Sequence, residues 1–315
     1  MTFGQTAPDA KEKPKIAEYR HDIDILQRKL DVLLMYQKLG DLAEIEEIKF
    51  TSVPGRDKNP TGLGAGNPLV IPAYTFVPKA LGNRKAPLIV FVHGGLHGRF
   101  NSVKVTKELL KQGYVIIAPE YRGSTGYGGH LYSQIDYGGT EIDDTQAARN
   151  WAVKNLPVDG SRVGIMGWSH GGFHALMTVF RFPDDYQVAF SGVPVSDLVQ
   201  RSAYQPDYIG TFKEFMGSTP QENLVEYRRR SPVYHADKLR TPLLIHTTTN
   251  DGDVSVMEVE HLIAVLKAAN KKFEYKIFDN APGAHGFGEL DTEVGQEARS
   301  QIYEFLAKRL HPQKL

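Results

Sequence analysis

The chain contains no cysteine, which excludes disulfides, thiolate metal sites and a cysteine nucleophile together and leaves the compartment open. Excess charge is also missing: 37 lysines and arginines balance 37 aspartates and glutamates, and the densest basic block is "YRRR" at Tyr227–Arg230. That balance argues against nucleic acid or an anionic membrane surface as a partner. No apolar run reaches the ~18 residues that suggest a bilayer span. The opening "MTFGQTAPDAKEKPK" lacks the apolar stretch of a signal peptide, so residence in the cytoplasm and export as a processed chain both stay open. Its polar composition suggests a mobile terminus. There is no internal repeat, and 315 residues suffice for one large core with an extension.

From Ile16 onward, Ile16, Tyr19, Ile23, Leu26, Leu30 and Leu33 recur at spacings of three and four, one stripe on a helix ending near Gly40. The run is shorter than the ~3–4 heptads that argue for a coiled coil, so packing on the protein's own body is expected ahead of a homo-oligomer seam. Two β-rich segments follow, "EIEEIKFTSV" and "LVIPAYTFVP", on either side of a proline- and glycine-rich loop. They read as an antiparallel start to a sheet. Gly62, Gly64 and Gly66 in the loop do not have phosphate-cradle spacing, and no helix pattern follows them.

Thereafter strands and helices alternate: "APLIVFVHGG", "SVKVTKELLKQG", "YVIIAPEYRG", "DDTQAARNWAVKN", "RVGIMGW". Continuous apolar strands between helices predict an α/β fold with a mostly parallel, doubly wound sheet covered on both faces. Three later strands, "QVAFSGVPVSDL", "TPLLIHTTTND" and "KFEYKIFDNA", extend it.

One stretch carries chemistry. "GIMGWSHGGFHAL", Gly164 to Leu176, sets four glycines around Ser169 between an apolar run and a helical pattern. Gly167-Trp168-Ser169-His170-Gly171 fits G-x-S-x-G, the strand-to-helix elbow that lifts a nucleophilic serine above a sheet edge. In an open parallel sheet reactive groups gather beyond the C-terminal ends of the strands. Asp251 follows "LLIHTTTN" and His285 follows "YKIFDNAPGA", so serine, acid and histidine stand at separate strand ends in the order of the α/β-hydrolases.

From about residue 45 to the C-terminus the chain resembles the catalytic domain of the prolyl oligopeptidase family. The resemblance rests on "VHGGLHG", "PEYRGSTGYG", "GWSHGG", "YRRRSPVYHADKLRTPLLIH", "NDGDV" and "HGF". It implies Ser169 as nucleophile, Asp251 as the acid of D-x-x-V, and His285 as the base. It also implies an oxyanion hole from the His170 N–H and from Gly95, with Gly94 beside it. Losing one such donor typically costs about 2.7–4 kcal/mol of transition-state stabilisation. Two departures stand out. The β-propeller of many family peptidases has no counterpart in the residues before 45, and the family's H-G-x-x-D run reads "HTTTND", leaving Asp253 as a second candidate acid. Where some relatives place a tyrosine hydroxyl, this chain has His93.

The expected organisation is a tail and amphipathic helix over 1–44 and a catalytic domain over 45–315, with a lid-like insertion at about 196–237. Tyr204, Tyr208, Phe212 and Phe215 of that insertion, with His93, are candidates to line a substrate pocket. Metal binding is not expected, because His93 with His97 and His170 with His174 have no carboxylate at ligand spacing. Asp143 and Asp144 suit the N-terminal dipole of a helix. The expected activity is a cofactor-free serine hydrolase of carboxylic esters, extending to small amides or peptides. A dipeptidyl or acylaminoacyl exopeptidase is the alternative, and a non-catalytic binding protein the third reading.

Overall fold

A computed structural model describes residues 12–56 and 61–313, with side chains from residue 18 onward. The opening tail, the side chain of Ile16 and part of the glycine-rich loop lie outside the described residues. The elements run α1 (Glu12–Leu39), β1 (Ala43–Pro54), β2 (Pro68–Pro78), β3 (Ala86–Val92), α2 (Val103–Gln112), β4 (Val115–Pro119), α3 (Gly129–Tyr132), α4 (Glu141–Asn155), β5 (Val158–Trp168) and α5 (His170–Arg181). They continue with β6 (Val188–Gly192), α6 (Leu198–Tyr204), α7 (Tyr208–Met216), α8 (Leu224–Arg229), β7 (Leu243–Thr248), α9 (Val256–Ala268), β8 (Glu274–Phe278) and α10 (Glu293–Leu310).

Among the described residues eight strands form one sheet in the order β1-β2-β4-β3-β5-β6-β7-β8. The β1–β2 and β2–β4 pairs are antiparallel and the rest parallel, which is the α/β-hydrolase arrangement expected. β3 shows why its sequence is apolar throughout. Leu88, Val90 and Val92 enter the core under α4, α5 and α9, while Ile89 and Phe91 enter the opposite one under α2 and α10, since successive side chains point to opposite faces. Among the described residues no helix is long and apolar enough to cross a membrane.

The first helix departs from expectation. Tyr19, Ile23, Leu26, Leu30 and Leu33 are 54–67% exposed, so the apolar stripe does not pack on the protein's own body. The opposite face docks instead. Met35 and Leu39 are buried, the Arg28 guanidinium donates to Gly126 O (2.9 Å) and Glu47 (2.9 Å), and Asp31 accepts from Arg99 Nε at 2.6 Å. The docked face thus combines two buried apolar side chains with directional polar contacts.

Asp143 and Asp144 lie in the first turn of α4 without capping it by side chain. Asp143 pairs with Arg181 at 2.6 Å. Asp144, fully buried, takes Arg122 Nε and Nη2, both at 2.8 Å, and the Arg122 N–H at 2.9 Å. This ion pair anchors the chain leaving β4 to α4.

Candidate active site

Ser169 sits between the end of β5 and the start of α5 with φ 56° and ψ −121°. A non-glycine residue in this region stores roughly 1–3 kcal/mol of strain and persists only where its surroundings hold it. Two glycines permit the turn. A Cβ on Gly167 would lie 2.6 Å from the Val92 carbonyl oxygen, and one on Gly171 would lie 2.2 Å from the same atom. The elbow thus packs backbone against backbone over the end of β3.

Beyond β7, the side chain of Asp251 is completely buried, and its Oδ1 accepts from the N–H groups of Asp253 and Val254, both at 2.9 Å. Its Oδ2 accepts from His285 Nδ1 at 2.7 Å. The extra residue of "HTTTND" is absorbed by ties to the neighbouring loop: Thr249 Oγ1 donates to Asp279 (3.0 Å) and Asn250 Nδ2 to Ala281 O (3.1 Å). Asp253 takes a different position. It is 44% exposed, pairs with Arg201 at 2.8 Å, and lies 3.5 Å from His285 Nε2. His285 Nε2 has no hydrogen-bond partner among the described residues. It shares with Ser169 a cavity of about 470 Å³.

The loop after β3 forms the facing wall. Gly94 lies against the serine: a Cβ there would sit 3.5 Å from Ser169 Cβ. Gly95 has φ 78°, and its carbonyl accepts from the Tyr121 hydroxyl at 2.7 Å. His170 opens α5, so its N–H is among those without an intrahelical acceptor. His93 does not offer a free imidazole in place of the tyrosine hydroxyl. Its buried ring lies 3.0 Å from Gly94 O and 2.9 Å from Ser124 Oγ, with Glu120 at 3.3 Å.

Tyr204, Tyr208, Phe212 and Phe215 do not line this cavity. Phe212 and Phe215 are buried in the core. Tyr204 accepts from Arg201 at 3.0 Å and Tyr208 lies under the same guanidinium, so they brace the Arg201–Asp253 pair from behind. The residues that do line it include Arg99, Asn101 and Glu289. Of these, Arg99 is the one with a readable signal, a cation just past the "HGG" turn.

Directly behind the elbow lies a group that sequence spacing concealed. Glu141, 29 residues before His170, is fully buried 3.1 Å from His170 Nε2 and 3.5 Å from His174 Nε2. Among the described residues this is the one cluster compact enough to share a metal ion, with ligand atoms within 4.8 Å of one another. The expectation that no carboxylate joins these histidines is corrected by the fold. The three groups form a dry polar cluster centred on the Glu141 carboxylate. Burial acts to raise the Glu141 carboxyl, but His170 and His174 outweigh it and hold the group well below the usual carboxylate range. Burial drives His174 down to about 4, with Glu141 pulling the other way.

The sequence profile of the prolyl oligopeptidase family matches residues 101–313. Among curated relatives, the dipeptidyl aminopeptidase BIII of Pseudoxanthomonas mexicana is 29% identical over 71% of this chain and 33% of its own length. The acylamino-acid-releasing enzyme of Mus musculus is 26% identical over 66% of this chain and 30% of its own. The chain thus spans about a third of the length of these relatives. Among solved structures, the Pyrococcus horikoshii acylaminoacyl peptidase superposes with a TM-score of 0.73 at 24% identity, over 88% of this chain and 43% of that one. That likeness bears on the fold.

Proposed function

The chain belongs to the prolyl oligopeptidase family, and from that premise we propose that it is a serine peptidase of short peptides, acting at an acyl–amine bond near a free or acylated N-terminus. The observation that carries the reading is the 2.7 Å contact of His285 with the buried Asp251 in the cavity that holds the strained Ser169. The comparisons favour this over the ester specificity expected first, because the relatives named above are called a dipeptidyl aminopeptidase and an acylamino-acid-releasing enzyme. Activated esters, with their better leaving groups, are side substrates of the same site.

In this reading Ser169 Oγ attacks the carbonyl carbon while His285 Nε2 takes its proton. Asp251 accepts from Nδ1–H, keeping Nε2 as the basic nitrogen and stabilising the imidazolium. The oxyanion accepts from the N–H groups of His170 and Gly95. His285 then protonates the departing amine, and water attacks the acyl-enzyme through the same base to release the acid.

Fluorophosphonate should label one site per chain, and Ser169→Ala should abolish labelling without lowering the melting temperature. A panel of dipeptidyl and acylaminoacyl anilides set against p-nitrophenyl esters then reads the specificity. Turnover of at least one anilide that disappears in Ser169→Ala is the expected result. A labelled enzyme that hydrolyses only esters would return the assignment to a carboxylesterase, and an unlabelled folded protein would refute the hydrolase itself.

A further inference from the structure

The exposed stripe of α1 has the spacing of a coiled coil. Tyr19, Ile23, Leu26, Leu30 and Leu33 alternate by four and three, placing Ile23 and Leu30 at a positions and Tyr19, Leu26 and Leu33 at d positions of one heptad frame. In that frame His21, Arg28 and Met35 fall at f, diametrically opposite the seam. Those residues meet the body: His21 packs its ring on Tyr132 with centroids 5.1 Å apart, Arg28 bonds Gly126 O, and Met35 is buried. The helix lies flat on the hydrolase with its apolar seam turned outward. A contiguous apolar strip of this kind marks an association surface.

We propose that this seam pairs with the same seam of a second copy, as an antiparallel two-helix interface about a two-fold axis. Charge selects the occupant and the direction. Asp22 and Lys29 occupy g positions flanking the seam, both exposed, and neither has an ion pair within the described residues. In an antiparallel pair g positions face g positions. Packing Tyr19 against Leu30 of the second copy, and Ile23 against its Leu26, brings Asp22 of each chain beside Lys29 of the other, twice by symmetry. A parallel pair instead sets g against e, leaving Asp22 facing Gln27 and Lys29 facing Leu34, a charge opposite a half-exposed leucine. The seam is shorter than an isolated coiled coil requires, but this helix is already formed and held on the body, so pairing need not bear the cost of helix nucleation.

Sedimentation velocity of the 315-residue chain across a concentration series should show a dimer of 35.2 kDa protomers. Leu26→Glu with Leu30→Glu should convert it to monomer with an unchanged circular dichroism spectrum and unchanged esterase activity. Asp22→Lys or Lys29→Asp alone should weaken the dimer at least ten-fold, and the two together should restore it, a rescue independent of whether the leucine variant folds. Since the chain has no cysteine, Tyr19→Cys mixed with Leu30→Cys should cross-link under oxidation while Tyr19→Cys alone should not. A monomer at 100-fold above the assay concentration overturns the proposal. So does a dimer indifferent to the leucine and charge variants, and cross-linking of Tyr19→Cys with itself would show a parallel seam and overturn the antiparallel one.

Discussion

Asp251 and Asp253 are two residues apart and differ in every physical respect that matters to an imidazole. Asp251 is buried, accepts two backbone N–H groups and touches Nδ1. Asp253 is half exposed and already engaged by Arg201. Asp251→Asn should therefore lower kcat by ~10⁴ by stabilising the wrong tautomer, and Asp253→Asn by about ten-fold or less; steady-state kinetics on one substrate ranks them, and the reverse order would make Asp253 the orienting acid. Glu141 makes a second case. Glu141→Gln removes a buried carboxylate that accepts the Gly138 N–H at 2.7 Å and faces both imidazoles, and disturbing such a buried hydrogen-bonded site typically costs about 1–3 kcal/mol, read as a lowered urea midpoint. A change within ~0.5 kcal/mol would be that of an ordinary surface substitution and would show that the cluster does not depend on the carboxylate. The order and strand-end setting of serine, acid and histidine were legible in the sequence because they depend on local pattern. The Glu141 cluster was not, because it needs α4 laid beside α5.

The junction of β3, β5 and α5 shows the same division among elements. Glycines around Ser169 announced a tight turn, and the Val92 carbonyl oxygen explains which of them cannot change. Gly171→Ala should force α5 away from β3, since both colliding atoms belong to backbone, and a displacement of even ~1 Å at the reacting groups is enough to lose ~10²-fold in rate. A melting curve and kcat/KM should both fall; an active variant of unchanged stability would show that the elbow tolerates a side chain there. The insertion over α6, α7 and α8 offers aromatics that are candidates to line a pocket. Its tyrosines turned out to hold Arg201, whose guanidinium in turn reaches the cavity wall through Asp253. Aromatic composition alone cannot tell a lining residue from a brace.

For the molecule as a whole, enclosing the sheet on both faces buries imidazoles that water would otherwise charge. His246 on β7 is 1% exposed between Phe190 and Phe278, neither ring nitrogen has a partner among the described residues, and burial lowers it to about 3. With His174 at about 4, the folded state takes up these two protons later than the unfolded chain does as pH falls from the ordinary histidine value of ~6.5. Acidification favours whichever state binds more protons, here the unfolded one, so this part of the stability is lost between about pH 6.5 and 3. Glu141 adds loss of the same sign below ~4.5, whereas Glu258, raised by burial against the pull of Arg201, opposes it. His246→Leu should isolate the effect, giving a higher melting temperature at pH 5 and a shallower decline of stability from pH 7 to 4.5. A parallel decline in both proteins would mean that His246 does not stay neutral.

What the sequence determined by itself followed from near-neighbour rules. The continuous apolar run of β3, the spacing of α5 and the glycines at Ser169 each act over a few residues and point to one strand-turn-helix unit. The heptad frame of α1 belongs here too. Which face of that helix meets the body was decided elsewhere, by Gly126, Glu47 and Arg99 arriving from distant segments to meet Arg28 and Asp31. The same holds for Glu141 beneath the elbow and for Asp253 behind Arg201. A buried charge finds its partner in space, and only the closed tertiary structure brings together residues that the chain keeps tens of positions apart.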